Sequence, residues 1–230
     1  VQPVPGESEL QSSYRRVWEA FTRAPSTADG RHDTTRWRGS SAPYAACIVR
    51  VPAGLLQPQL AGVRDRLHGL AEVRIHPDHF LHIMLQELGF VVAHPSRRDE
   101  ISSGRLEEFA QSAIDPVSST SPFEIALGPV NAFEDAVFLE TGGGARVSKL
   151  HSRLFELAAI PSEPDYPYLP HCTLAHFTGA ASIASAVDAL TPFRSQPLGT
   201  MRITEVEIVT MNAAEPYPLL ETYAVIPLGR

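Results

Sequence analysis

Lysine is almost missing from this chain. Lys149 is the only one in 230 residues, and the other basic side chains are arginines. A G-K-[ST] phosphate loop is therefore absent, and Schiff-base chemistry would rest on Lys149 alone. Cysteine is scarce as well. Cys47 and Cys172 are too few for a disulfide framework or a cysteine-rich zinc site. Two reduced thiols suit a cytosolic protein. No run approaches ~18 consecutive apolar residues, so no membrane-spanning helix is expected. Residues 1–10, VQPVPGESEL, show no basic-then-apolar leader pattern. Positive charge is in deficit, with 19 basic against 26 acidic side chains and a net charge of −7. That argues against a general binder of double-stranded DNA, while leaving room for a local anion site. A cytoplasmic protein is expected, with no membrane partner.

What is present is an ordinary globular composition, 43% hydrophobic and 20% charged. A chain of this length can bury about 70% of its surface. Residues 7–24 read as an amphipathic helix, with Leu10, Tyr14, Val17, Trp18 and Phe21 on one stripe. Ser8 with Gln11 reads as its capping box. The helix is expected to dock on the nearer lobe through Tyr14, Trp18 and Phe21. Residues 25–43 read as loop, so residues 1–43 form an extension of helix and linker. From Tyr44 the pattern alternates. YAACIVRV (44–51), HIMLQEL (82–88), PFEIALGPV (122–130), DAVFLET (135–141) and HCTLAHF (171–177) read as strands. MRITEVEIVTM (201–211) and TYAVIPL (222–228) read as closing strands. Helices are expected at 55–67, 104–113, 145–160 and 182–190. The class is α+β.

Two of nine histidines open short strands, His82-Ile-Met-Leu and His171-Cys-Thr-Leu. Residues i and i+2 of a strand share a face. His171 therefore points with Thr173, and His82 with Met84, while Ile83, Leu85, Cys172 and Leu174 point toward a core. An imidazole moves a proton near neutral pH, and a hydroxyl beside it can hold a phosphate oxygen. Two such strands facing across a cleft would supply an acid, a base and a clamp. In-line displacement at phosphorus needs those parts, because entering and leaving oxygens lie on opposite sides. His76, His79 and His82 spell H-x₂-H-x₂-H, but a loop leading into a strand would scatter them. No metal and no cofactor are expected. Tyr166 and Tyr168 read equally as aromatics that stack a base beside the cleft or as core or rim packing, and His151, on a helix, is read as surface or interlobe.

The surrounding residues resemble a known family. PDHFLHIMLQELGFV (77–91) looks like the first motif of the 2H phosphoesterases, the superfamily of 2′-5′ RNA ligase-like proteins and cyclic phosphodiesterases. YPYLPHCTLAHF (166–177) looks like their Pro-His-x-Thr-Leu motif. The resemblance covers about residues 44–228. It implies one bilobal domain, with two lobes related by a pseudo-twofold axis and antiparallel sheets around a central cleft. It further implies metal-independent hydrolysis of a 2′,3′-cyclic or related phosphodiester on a nucleotide or RNA end. His82 and His171 match the catalytic positions, as general acid and general base respectively, and Thr173 matches a substrate-binding position. Met84 departs from the family, which has Thr or Ser there, and His176 stands where many members carry Arg. The alternatives are a weakened nucleotide- or phosphate-binding module of the same fold, and an RNA-end ligase. A monomer is expected.

Overall fold

A computed structural model describes residues 4–30, 37, 39–159 and 167–229. Tyr166 therefore lies outside the described residues. The elements run α1 (Glu7–Arg23), β1 (Tyr44–Arg50), α2 (Gln59–His68), β2 (Val73–Ile75), β3 (His82–Val91), β4 (Glu100–Ile101) and α3 (Ser103–Ser118). They continue with β5 (Phe123–Ala132), β6 (Ala136–Gly142), α4 (Gly144–Ala158), β7 (His171–Phe177), α5 (Ile183–Leu190), β8 (Gly199–Ile203), β9 (Glu205–Met211) and β10 (Glu221–Pro227).

The strands form one sheet of mixed halves. Its order is β10-β9-β1-β3-β7-β6-β5-β8, with β2 on β7 and β4 on β3. All pairings are antiparallel except the two-residue β3–β4 contact. Gly89, at φ +106°, lets β4 approach, since a Cβ there would meet the Asp99 carbonyl at 2.6 Å. Strands β3 and β7 meet at Ile83 opposite Cys172. Both motif strands thus lie at the centre of the molecule, each the innermost strand of its half.

Alternation decides which face each residue serves. On β3 and β7, Ile83, Leu85, Cys172 and Leu174 are buried, and they belong to the main core with α2, α3, α4 and α5. His82, Met84, His171 and Thr173 are half-buried on the opposite face. That face carries two smaller clusters, one on each side of the motif strands. Tyr44, Ala46, Ile48, Phe90 and Val209 form one, with Phe80 and Met84 packed against it. Leu10, Tyr14 and Phe138 form the other, with Phe133 and Leu169.

Helix α1 builds that second cluster. It buries Leu10, Tyr14 and Phe21, leaves Trp18 half-buried, and packs on β5, α4 and α5, not on the half that begins at Tyr44. Its cap differs from the expected Ser8–Gln11 pair. The Glu9 carboxylate accepts from the Gly6 amide at 2.7 Å, because the cap falls at Gly6, two residues before Ser8. Glu7 reaches further and accepts from the Gly143 and Ala145 amides at 2.9 and 3.3 Å. An acid there satisfies the otherwise unpaired first amides of α4.

MRITEVEIVTM is two strands rather than one. β8 pairs with β5 and β9 pairs with β1 and β10, so the chain crosses from one half to the other at Thr204. Strand β2, VRI, was not expected from the sequence.

Candidate active site

The Ile83–Cys172 pair between β3 and β7 sets the register of the site. With Ile83 opposite Cys172, antiparallel pairing puts His82 beside Thr173 and Met84 beside His171. The neighbouring strands extend each pair into a row. Arg50 of β1 pairs with His82, and Phe138 of β6 pairs with Thr173. Ile48 pairs with Met84, and Glu140 pairs with His171. The two histidines are therefore diagonal neighbours, with Cα atoms roughly 7–8 Å apart. That spacing admits a phosphoryl group while keeping both rings within reach of it.

Each ring is aimed by the same local device. His82 Nδ1 lies 2.6 Å from the Phe80 carbonyl oxygen, and His171 Nδ1 lies 2.7 Å from that of Leu169. A carbonyl only accepts, so each Nδ1 carries a proton and each Nε2 is the atom left for a substrate. Aromatic edges hold the planes. Phe80 meets His82 at 5.2 Å, and Phe133 and Phe138 meet His171 at 5.4 and 5.2 Å.

The rings differ in how hard they are to charge. Burial lowers the His82 pKa to about 4, helped by the nearby His171 and Arg50 and opposed by the Phe80 carbonyl. Burial also lowers His171, but the Leu169 carbonyl and the charge of Asp135 oppose that shift. Arg50 and Glu140 occupy equivalent places about the pseudo-twofold, one beside each histidine. Each has a partner. Arg50 forks onto Glu207 with two 2.8 Å bonds, and Glu140 meets Arg194 at 2.6 Å and Asn131 at 2.8 Å.

The other expected residues are placed as follows. Thr173 stands on the open face between Phe138 and His82. Met84 is on the same face, packed against the Ile48 and Phe80 cluster, with no hydroxyl to offer. Tyr168 donates its hydroxyl to the Met84 carbonyl at 2.8 Å and stacks one face on His151 at 3.7 Å. His151 is thus an interlobe residue, and its Nδ1 binds the Leu85 carbonyl. His176 reaches the face of His171 and Thr173 through a bulge at Leu174 in β7. Its Nδ1 lies 3.1 Å from Nε2 of the buried His76. His79 turns instead to the Tyr217 carbonyl, so the three histidines of the H-x₂-H-x₂-H run point to different partners. Among the described residues no three His, Cys, Asp or Glu side chains gather as metal ligands.

Sequence reasoning missed two residues that touch this site. Arg50 looked like the end of an apolar strand, and only its register with His82 reveals it. Tyr14 was read as packing, yet its hydroxyl donates to the carbonyl of Pro170, the residue before His171, and accepts from the Thr141 amide at 3.2 Å.

A model of the 2′-5′ RNA ligase superfamily matches residues 55–215. The chain belongs to that superfamily. Solved structures agree on the fold of this superfamily member. LigT of Escherichia coli in its apo form superposes with a TM-score of 0.60 at 17% identity, covering 83% of this chain and 100% of that one. TT0787 of Thermus thermophilus gives 0.56 at 18% identity, covering 81% and 99%. A conserved Agrobacterium tumefaciens protein of unknown function gives 0.58 at 13% identity, covering 90% and 97%. No curated protein is a significant sequence match. Arg50 and all of α1 lie outside the residues that the superfamily model matches. No described helix is long and apolar enough to cross a membrane.

Proposed function

We propose that this protein is a metal-independent phosphodiesterase that hydrolyses a 2′,3′-cyclic or related phosphodiester at a nucleotide or RNA end. One observation carries the reading. Two imidazoles, each with Nδ1 tied to the carbonyl two residues upstream, present Nε2 from adjacent strands on one face beside Thr173. Membership of the superfamily supports it, as do LigT structures complexed with 3′-AMP, ATP, NADP+ and phosphate.

In this reading one histidine takes a proton from water as its oxygen bonds to phosphorus. The other gives its proton to the ribose oxygen as that oxygen leaves. Thr173 donates to a non-bridging oxygen. The resemblance implied His82 as acid and His171 as base, but the surroundings favour the reverse. Burial, with lesser help from His171 and Arg50, keeps His82 neutral, as a base must be; burial lowers His171 as well, but there the Leu169 carbonyl and Asp135 oppose it. A phosphodiester anion in the cleft would raise both values and complete the acid.

The test is hydrolysis of 2′,3′-cyclic nucleotides with EDTA present. Turnover that survives chelation and is lost in His82→Gln and His171→Gln supports the proposal, and turnover lost on chelation defeats it. Met84 favours a second reading, a nucleotide- or phosphate-binding module with decayed catalysis. Calorimetric binding of the same nucleotides without turnover would select it.

A further inference from the structure

Beside His82 stands a cation supplied by the neighbouring strand β1. Arg50 ends β1, is paired in register with His82, and projects from the same face as His82 and Thr173. Its guanidinium is fixed in place. Nε and Nη2 fork onto the two Glu207 oxygens, Nη2 also donates to the Leu220 carbonyl at 3.2 Å, and Thr222 supports the same carboxylate at 2.9 Å. This grip uses one side of the planar group. Among the described residues Nη1 makes no hydrogen bond, and the side chain remains 35% exposed. A guanidinium held by one edge is pre-organised to offer the other to an oxyanion.

The row across the sheet makes the use specific. Arg50, His82 and Thr173 stand side by side on successive strands, while Met84 leaves the first motif without a hydroxyl. We propose that Arg50 binds a non-bridging phosphate oxygen of the substrate through Nη1, taking up on the His82 side the anchoring that Met84 does not provide. The ligand class is an anionic phosphodiester or phosphate. The inference rests on the proposed phosphodiesterase cleft for its substrate, but the binding it assigns is measurable without turnover.

Inorganic phosphate is the probe, titrated into the full chain by calorimetry at neutral pH. Arg50→Gln alone would leave Glu207 buried beside the cleft, so the decisive variant is Arg50→Gln/Glu207→Gln, which keeps the net charge. Phosphate affinity is expected to fall about tenfold or more in that variant, with an unchanged melting temperature. Glu207→Gln alone keeps the cation but loosens the fork that fixes it, and is expected to lose less phosphate affinity than Arg50→Gln/Glu207→Gln. Arg50→Lys, which keeps charge but loses the fork, should fall between the parent and the double variant, and serves if the double variant does not fold. Phosphate binding that is equal in the parent and Arg50→Gln/Glu207→Gln, or absent from the parent, overturns the proposal. Arg50-dependent phosphate binding with no hydrolysis of cyclic nucleotides leaves Arg50 standing and removes the hydrolase reading. Hydrolysis with KM and phosphate affinity unaltered in the double variant does the opposite.

Discussion

His82 links the stability of the fold to pH. Its imidazole is held neutral to about pH 4 by burial, with help from His171 and Arg50, whereas an unfolded histidine titrates near 6.5. Above 6.5 the ring is neutral in both states and adds no slope. Between 6.5 and about 4 the unfolded chain takes up a proton that the folded chain refuses, so stability falls as pH falls. Below about 4 both states are protonated and the loss is complete. Each pH unit in that window removes about 1.4 kcal/mol, and the total saturates at about 3 kcal/mol. Against a typical total of about 5–15 kcal/mol, that loss is readily measured. Urea unfolding from about pH 7.5 down to about pH 4.5 would follow it, with His82→Gln as the comparison. Gln does not titrate, so the difference between the two curves isolates this ring from the carboxylates and from His171 and His151, which are lowered in the same direction. Parallel stability curves for the parent and His82→Gln across the window would refute the reasoning.

Three further outcomes are expected. Tyr14→Phe leaves the Pro170 carbonyl and the Thr141 amide without their buried partner, and should cost about 1–3 kcal/mol in chemical unfolding while slowing turnover. A loss below about 0.5 kcal/mol would show that water or the backbone replaces it. Met84→Thr should raise kcat/KM about 10- to 100-fold if it restores an anchoring hydroxyl diagonal to Thr173. A folded Met84→Thr with no gain would mean that the methionine itself contacts substrate. Removing residues 1–24 strips Leu10, Tyr14 and Phe21 from the core. At about 1.5–3 kcal/mol for each buried side chain, the remainder should melt at least about 10 °C lower, and an unchanged thermal transition would count against an integral α1.

The sequence made the two motif strands legible because alternation is local. His82, Met84, His171 and Thr173 share an open face while their neighbours fill the core, as the i, i+2 pattern requires. Local pattern also gave the stripe on α1. What it could not give was anything decided by register. MRITEVEIVTM alternates without interruption, so nothing in it marks the crossing at Thr204. Strict alternation would set His176 on the core side with Cys172 and Leu174, and only the bulge at Leu174 returns it to the face of Thr173. Arg50 reads as the solvated end of a strand until its pairing with His82 is known. Tyr168 reads as a free aromatic, yet its hydroxyl and one face are already engaged by Met84 and His151.

The carbonyl that aims each imidazole lies two residues upstream in its own chain, Phe80 for His82 and Leu169 for His171. The hydrogen bond that aims each ring therefore travels with a segment of three residues, while the aromatic edges that hold the His171 plane come from Phe133 and Phe138. A gene that copied one such strand would copy an aimed ring with it. Brought together about a twofold axis, two copies present two aimed imidazoles to one face without any new arrangement of either ring. Division of labour then needs change only in the neighbours, and Arg50 beside one histidine with Glu140 beside the other is a change of that kind. The likeness of the two half-sites is in the backbone, and their difference is in the charges standing next to them.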